Sequence, residues 1–304
     1  MQSILNLIRW KNLLLIALVQ SLIKYALFEP FGIDITLNNL QFSLLVLATI
    51  CIAAAGNVIN DIYDVETDLV NKPSKVIVSK HISENIALNL FIALNIIGVG
   101  LGFYLANAIG KSGFAAVFVI ISALLYIYAS YLKQTLLIGN IVISVLVAMS
   151  IIIVGLFDLL PAITPQNQQT QLTIFKILLD YALFAFIINL LREMVKDIED
   201  IDGDFKAEMK TLPIIIGRER AGKLVFICSL LPLFGVIYYL VIYLYKQPLA
   251  IWYFLIYIIA PLLYFTIKSY SAETKPELQH LSNTLKLIML FGVLSLLLYP
   301  FILK

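Results

Sequence analysis

The sequence predicts an all-α integral membrane protein with nine transmembrane helices, and three observations carry that prediction. Of its 304 residues, 61% are hydrophobic and only 13% are charged, too little polar surface for a soluble domain of this length. The apolar residues gather in runs of about 17–25, the length an α-helix needs to cross the hydrocarbon of a bilayer. Lys and Arg collect in alternate connections between those runs, as the positive-inside rule requires of a multi-pass chain.

The runs lie at 12–29, 41–59, 86–107, 114–131, 137–157, 173–194, 224–245, 249–268 and 284–302. The first follows Arg9 and Lys11 and ends at Pro30-Phe-Gly32. No small-residue cleavage site comes after it, so it is expected to be a retained span and not a signal peptide. Lys24, inside this run, is expected to snorkel toward the interface, with facing the cavity as the alternative. The second run leads into the acidic stretch 57–68. The third carries Gly98, Gly100 and Gly102; Phe103 stands where a nucleotide-binding GxGxxG needs its last glycine. Gly98 and Gly102 are therefore expected to let neighbouring helices approach closely. Lys133-Gln-Thr135 separates the fourth and fifth runs, and 161–173 separates the fifth and sixth. The sixth enters a second acidic stretch, Lys246-Gln-Pro248 divides the seventh from the eighth, and 272–283 precedes the ninth. Cys51 and Cys228 sit in separate apolar runs and read as small buried hydrophobes, not a disulfide.

With the N-terminus in the cytoplasm, Arg9, Lys11, Lys72, Lys75, Lys80, Lys133 and the basic residues from Arg192 to Lys223 share the cytoplasmic side. The opposite loops hold little more than Lys111, Lys246 and Lys304. This predicts a single polytopic domain over 1–304 in the cell (plasma or inner) membrane, with its loops 61–84 and 197–223 forming a cytoplasmic cap. The net charge of +2, with no basic stripe, excludes nucleic acid as a partner.

The two acidic stretches carry the chemistry. The first reads Asn57-Val-Ile-Asn60-Asp61-Ile-Tyr-Asp64-Val-Glu66-Thr-Asp68. The second reads Arg192-Glu193-Met-Val-Lys196-Asp197-Ile-Glu199-Asp200-Ile-Asp202-Gly203-Asp204. Together they hold more than half of the nineteen acidic residues. Carboxylates beside lipid, at helix C-termini that already bear partial negative charge, call for a compensating cation. Asn60, Asp64 and Asp68 share one helical face at i, i+4, i+8, and Asp200 and Asp204 repeat the spacing. Asp61, about 100° round the helix, is placed to act as a further group around a metal. Glu193 and Asp197 extend the second face toward the membrane. Hard oxygen ligands of this kind suit Mg²⁺, which takes one or two carboxylates plus phosphate oxygens and water. The interleaved Lys and Arg point to a Mg-diphosphate site more than to a bare cation site. A calcium hand is excluded, because setting Gly203 at its turn position puts Ile198 and Met209 at ligand positions. A cation transporter is the non-enzyme alternative.

At these residues the chain resembles the UbiA superfamily of intramembrane prenyltransferases. Asn60, Asp61, Asp64 and Asp68 match that family's N-D-x-x-D-x-x-x-D motif; Asp200 and Asp204, with Asp197 preceding, match its D-x-x-x-D motif. Arg9-Trp-Lys-Asn12, Tyr128-Ala-Ser-Tyr131-Leu-Lys133 and Lys210-Thr-Leu-Pro213-Ile-Ile-Ile-Gly217 resemble its flanking segments. The resemblance implies nine helices around a lipid-open central cavity under cytoplasmic cap loops. It implies transfer of a polyprenyl group from its diphosphate to a lipophilic acceptor within membrane lipid, with Mg²⁺ as cofactor. By the same resemblance Asp64, Asp68, Asp200 and Asp204 are catalytic, and with Asn60, Asp61 and Asp197 they hold the metal. The resemblance likewise implies that Arg9, Lys72, Lys133 and Lys210 bind the diphosphate. Asn57 to Pro73 and the Arg192 stretch look most like the geranylgeranylglyceryl-phosphate geranylgeranyltransferase branch, which makes geranylgeranylglyceryl phosphate the preferred acceptor. The chain departs from the branch's N-R-P-x-R-P segment with Lys72, Lys75 and Val76, and Gln134 replaces a second basic residue after Lys133. An aromatic acceptor of the 4-hydroxybenzoate or naphthoate type is the alternative.

Overall fold

The computed structural model describes residues 2–302, so Lys304, counted above with the opposite loops, lies outside it. Among the described residues, nine helices are long and apolar enough to cross a membrane. They are Trp10–Phe31, Asn39–Tyr63, Glu84–Ala108, Ser112–Ser130, Ile138–Ala162, Gln168–Glu199, Arg218–Tyr243, Pro248–Ser269 and Lys275–Ile302, here the first to ninth spans. Several run past the apolar stretches because capping residues, not hydropathy, set their ends. Asn38 starts the second span, its Oδ1 accepting the Gln41 N–H at 2.9 Å. Thr274 starts the ninth in a capping box with Glu277, well before the apolar run begins at 284.

The chain divides into two compact units. The first comprises the chain up to Ser21, Gly32–Lys133 and Met149–Leu179. Its second, third and fourth spans pack on one another through the glycines singled out above. A Cβ on Gly98 would lie 2.6 Å from Ile52 Cγ1 and 3.1 Å from the Ala48 carbonyl oxygen. A Cβ on Gly102 would lie 2.3 Å from the ring of Phe118, which packs edge-on against Phe157 at 5.3 Å. Gly100 meets nothing within 4 Å, so the stripe is selective. Gly102→Leu is expected to lower stability by about 1–3 kcal/mol through overpacking, measured by thermal unfolding in detergent. Gly100→Ala serves as the control, and an equal loss in both variants would sink the close-approach argument. At the other end of this unit the Asp158 carboxylate accepts the Leu37 N–H at 2.7 Å, while its backbone carbonyl accepts the Thr36 N–H at 2.9 Å. That fixes the connection between the first two spans.

The second unit comprises Leu22–Phe31, Gln134–Ala148 and the chain from Asp180 onward. Its core joins the inward faces of the sixth to ninth spans, with Leu191, Val225, Leu262, Phe265, Leu285 and Ile288 at its centre. A cavity of about 270 Å³ opens among these spans beside Pro232 and Gly235. It is lined on the sixth span by Asp180, Phe184 and Ile187, the face opposite Asn189 and Glu193 by helical spacing. Lys24 also belongs to this unit and corrects the snorkelling expectation, since it is fully buried. It lies in a π-helical turn, Ile23–Phe28, that packs on the Ser295–Leu298 turn of the ninth span. Cys51 and Cys228 are free thiols.

Candidate active site

Both acidic stretches use the same backbone device, each within its own unit. The second span ends at Tyr63, Asp64 takes φ −92°, ψ 0°, and a short helix Val65–Asn71 follows. The sixth span ends at Glu199, Asp200 takes φ −97°, ψ 7°, and Ile201–Lys206 follows. That region of backbone space is sparsely populated and recurs at active sites. The i→i−4 hydrogen bonds nevertheless continue across each break. Asp64 N–H reaches Asn60 O at 2.9 Å, and Asp68 N–H reaches Asp64 O at 2.8 Å. The second cluster repeats the pattern, Asp200 to Lys196 at 2.9 Å and Asp204 to Asp200 at 3.2 Å. Each carboxylate pair therefore stays one turn apart, as the spacing predicts. The two acidic stretches form a repeat in backbone conformation, Asp61, Asp64 and Asp68 corresponding to Asp197, Asp200 and Asp204.

In the first unit the carboxylates meet cations. Arg9 Nη2 donates to Asp61 Oδ1 at 2.8 Å. Arg9 itself has φ 53°, a left-handed conformation that a side chain of its size adopts only when its surroundings hold it there. Part of that hold is Asn57, whose Nδ2 donates to the Ile8 carbonyl at 3.0 Å. Asn57, read from sequence as part of the oxygen-rich cluster, is thus a backbone pin for Arg9. Lys133 and the Asn60 amide both donate to the Asp64 carboxylate. Asn60 Oδ1 is left buried with no hydrogen-bond partner. Lys72 ends the Val65–Asn71 helix, its N–H bonded to Asp68 O at 2.8 Å, and both it and Asp68 are half-buried.

In the second unit Glu193 is buried and accepts from Arg192 Nη1 at 2.8 Å and Lys196 Nζ at 2.9 Å. Its carboxylate is clamped by two cations, so its place on the acidic face comes from spacing alone. Asp197 instead faces a neutral donor, Asn140 Nδ2, at 2.7 Å from its Oδ2. Asp204 is buried, with Thr211 Oγ1 at 3.4 Å from its Oδ2. Lys210 is exposed, its N–H donating to the Gln134 carbonyl at 2.9 Å. Asp202 is exposed and pairs with Lys275 at 3.0 Å, away from these contacts. Sequence reasoning missed Asn140, Ser144, Asn189 and Thr211. The signal that was available is polar residues at i, i+4 (Asn140 and Ser144) inside an otherwise apolar span.

Among the described residues no three acidic, His or Cys side chains form a ready-made cation cage. The oxygens come instead as carboxylate pairs one helical turn apart, the ligand supply Mg²⁺ draws on when phosphate and water complete its shell. The orphaned Asn60 Oδ1, a buried acceptor beside Asp64, is one hard oxygen that such an ion would satisfy. The residues present fit the metal.

Comparison with known proteins decides the family. The model of the UbiA prenyltransferase family matches residues 17–287. The chain belongs to the UbiA prenyltransferase family. It is an enzyme, and the cation-transporter alternative falls. It is 33% identical over 262 residues to the digeranylgeranylglyceryl phosphate synthase of Methanosphaera stadtmanae, covering 83% of this chain and 86% of the relative. It is 35% identical to the synthase of the same name from Korarchaeum cryptofilum, covering 81% of each. Its fold is that of a solved UbiA homologue from Archaeoglobus fulgidus bound to GPP and Mg²⁺, with a TM-score of 0.57 at 20% identity, covering 97% of this chain and 99% of that one.

Proposed function

We propose that this UbiA enzyme transfers a geranylgeranyl group from its diphosphate to the free glycerol hydroxyl of geranylgeranylglyceryl phosphate, with Mg²⁺ as cofactor. The single observation that carries the acceptor is the relatives' name, since a digeranylgeranylglyceryl phosphate is the product of adding a second such group. The solved homologue bound to GPP and Mg²⁺ supports a prenyl diphosphate donor. The site is proposed to act as one domain across 1–304, in the cell membrane, with the N-terminus and both acidic stretches cytoplasmic.

Asn60, Asp61, Asp64, Asp68, Asp197, Asp200 and Asp204 are the residues that would hold the metal. Bound Mg²⁺ supplies neutralisation of the charge on the leaving diphosphate. Arg9, Lys72, Lys133 and Lys210 add fixed positive charge for the diphosphate oxygens. An ammonium offers three donors, so Lys133 can keep Asp64 while meeting a phosphate oxygen. The allylic C–O bond then breaks with its electron pair leaving on the diphosphate. The acceptor oxygen attacks the allylic cation and its proton passes to the released diphosphate. The surrounding apolar spans keep water from intercepting that cation.

The reading is tested by offering geranylgeranyl diphosphate with geranylgeranylglyceryl phosphate, 4-hydroxybenzoate or a naphthoate acceptor to one purified preparation. Turnover of the glycerol-phosphate lipid is expected. Turnover only of an aromatic acceptor would reject this branch and leave the prenyl-transfer chemistry standing.

A further inference from the structure

We propose that Asn140 is a positioning residue that aims Asp197 at the metal, and that Asp197 and Asp61, although equivalent in the two repeats, do different jobs. This rests on the reading of Asp197 as a metal ligand. Asp61 and Asp197 each stand three residues before the aspartate at the break, yet their partners differ in charge. Arg9 gives Asp61 a full positive charge at 2.8 Å, which gives that carboxylate the second job of holding the strained Arg9 turn. Asn140 gives Asp197 a neutral amide N–H at 2.7 Å on Oδ2. The amide fixes the carboxylate in direction without placing a formal charge on it. The nearby bases Lys196 and Arg192 both reach Glu193.

The helix turn that carries this amide is itself tied to the sixth span. Ser144 Oγ donates to the Asn140 backbone carbonyl at 2.6 Å, and Asn189 Nδ2 donates to Ser144 Oγ at 3.1 Å. Ser144 is fully buried, and Asn140 and Asn189 are each 5% exposed. Buried polar side chains at an apolar helix contact are costly unless connected; here Asn189 reaches the Asn140 backbone through Ser144, and the Asn140 side chain reaches Asp197. That linkage ties the start of the fifth span to the sixth, so the orientation of Asp197 comes from two helices and not from one flexible rotamer. Groups that orient a metal ligand in this way govern affinity without touching the metal.

The test is a double-mutant cycle read by direct metal binding. Mn²⁺ is titrated by electron paramagnetic resonance into nanodisc-held full-length enzyme with the unreactive thiolo analogue of geranylgeranyl diphosphate. Turnover and unfolding temperature are measured beside it. Asn140→Ala is expected to weaken Mn²⁺ binding about 10–100-fold, the range for loss of a ligand-orienting partner. The Asn140→Ala, Asp197→Asn pair is expected to bind no more weakly than Asp197→Asn alone, because Asn140 acts only through Asp197. Ser144→Ala, which removes only a hydroxyl, is expected to weaken Mn²⁺ in the same direction by less, and it keeps the test open if Asn140→Ala does not fold. Wild-type Mn²⁺ affinity in both Asn140→Ala and Ser144→Ala, or multiplied losses in the double variant, overturns the positioning role. Wild-type affinity in Asp197→Asn alone instead overturns the ligand reading on which it rests.

Discussion

Asp64→Asn and Asp200→Asn are each expected to lower prenyl transfer by about 10²–10³-fold at saturating substrates, the scale for losing one preorganised group that stabilises developing charge. Asn is close to isosteric with Asp and tolerates the same unusual backbone region, so each variant removes charge while leaving the bend in place. Asp64→Asn has a second consequence. Lys133 is only 9% exposed and pairs with Asp64, and stripping one partner from a largely buried pair costs about 3–5 kcal/mol. Its unfolding temperature should therefore fall with its activity, and activity must be taken per folded molecule. Two variants transferring prenyl groups at the wild-type rate, with the chelated wild type equally active, would end the metal reading.

Glu193→Ala is expected to act in the opposite sense, on stability before chemistry. Its carboxylate is the common acceptor of Arg192 and Lys196, both mostly buried. Removing it leaves two cations crowded without that anion, again about 3–5 kcal/mol. Thermal unfolding should show the loss, and Mn²⁺ affinity per folded molecule should stay near wild type. A stable variant that has lost Mn²⁺ would make Glu193 a ligand and reverse this assignment.

The nine spans were legible because apolar length and Lys and Arg placement are bulk properties, insensitive to detail. Helix ends were less so. Thr274 begins the ninth span by capping a polar first turn that hydropathy does not register. The acidic pairs were legible because i, i+4 spacing survives the breaks at Asp64 and Asp200. What spacing does not reveal is which acid meets which base. Asp61 meets Arg9 and Asp197 meets Asn140 across segments distant in sequence, while Glu193 meets two cations on its own helix, a choice among neighbours that spacing leaves open. Lys24 shows the same limit, because its burial follows from the local winding of its turn and from the ninth span packed on it.

At each break one residue supplies two properties through different atoms. The backbone of Asp64 or Asp200 redirects the chain, and its side chain carries the charge. Glycine would keep the turn and discard the anion, while a longer acid would keep the anion and move it by a methylene. Substitution at either position therefore has almost no neutral neighbour. Asparagine is the natural probe because it separates the two properties, and any redesign of the following helix must treat direction and charge as a single inherited trait.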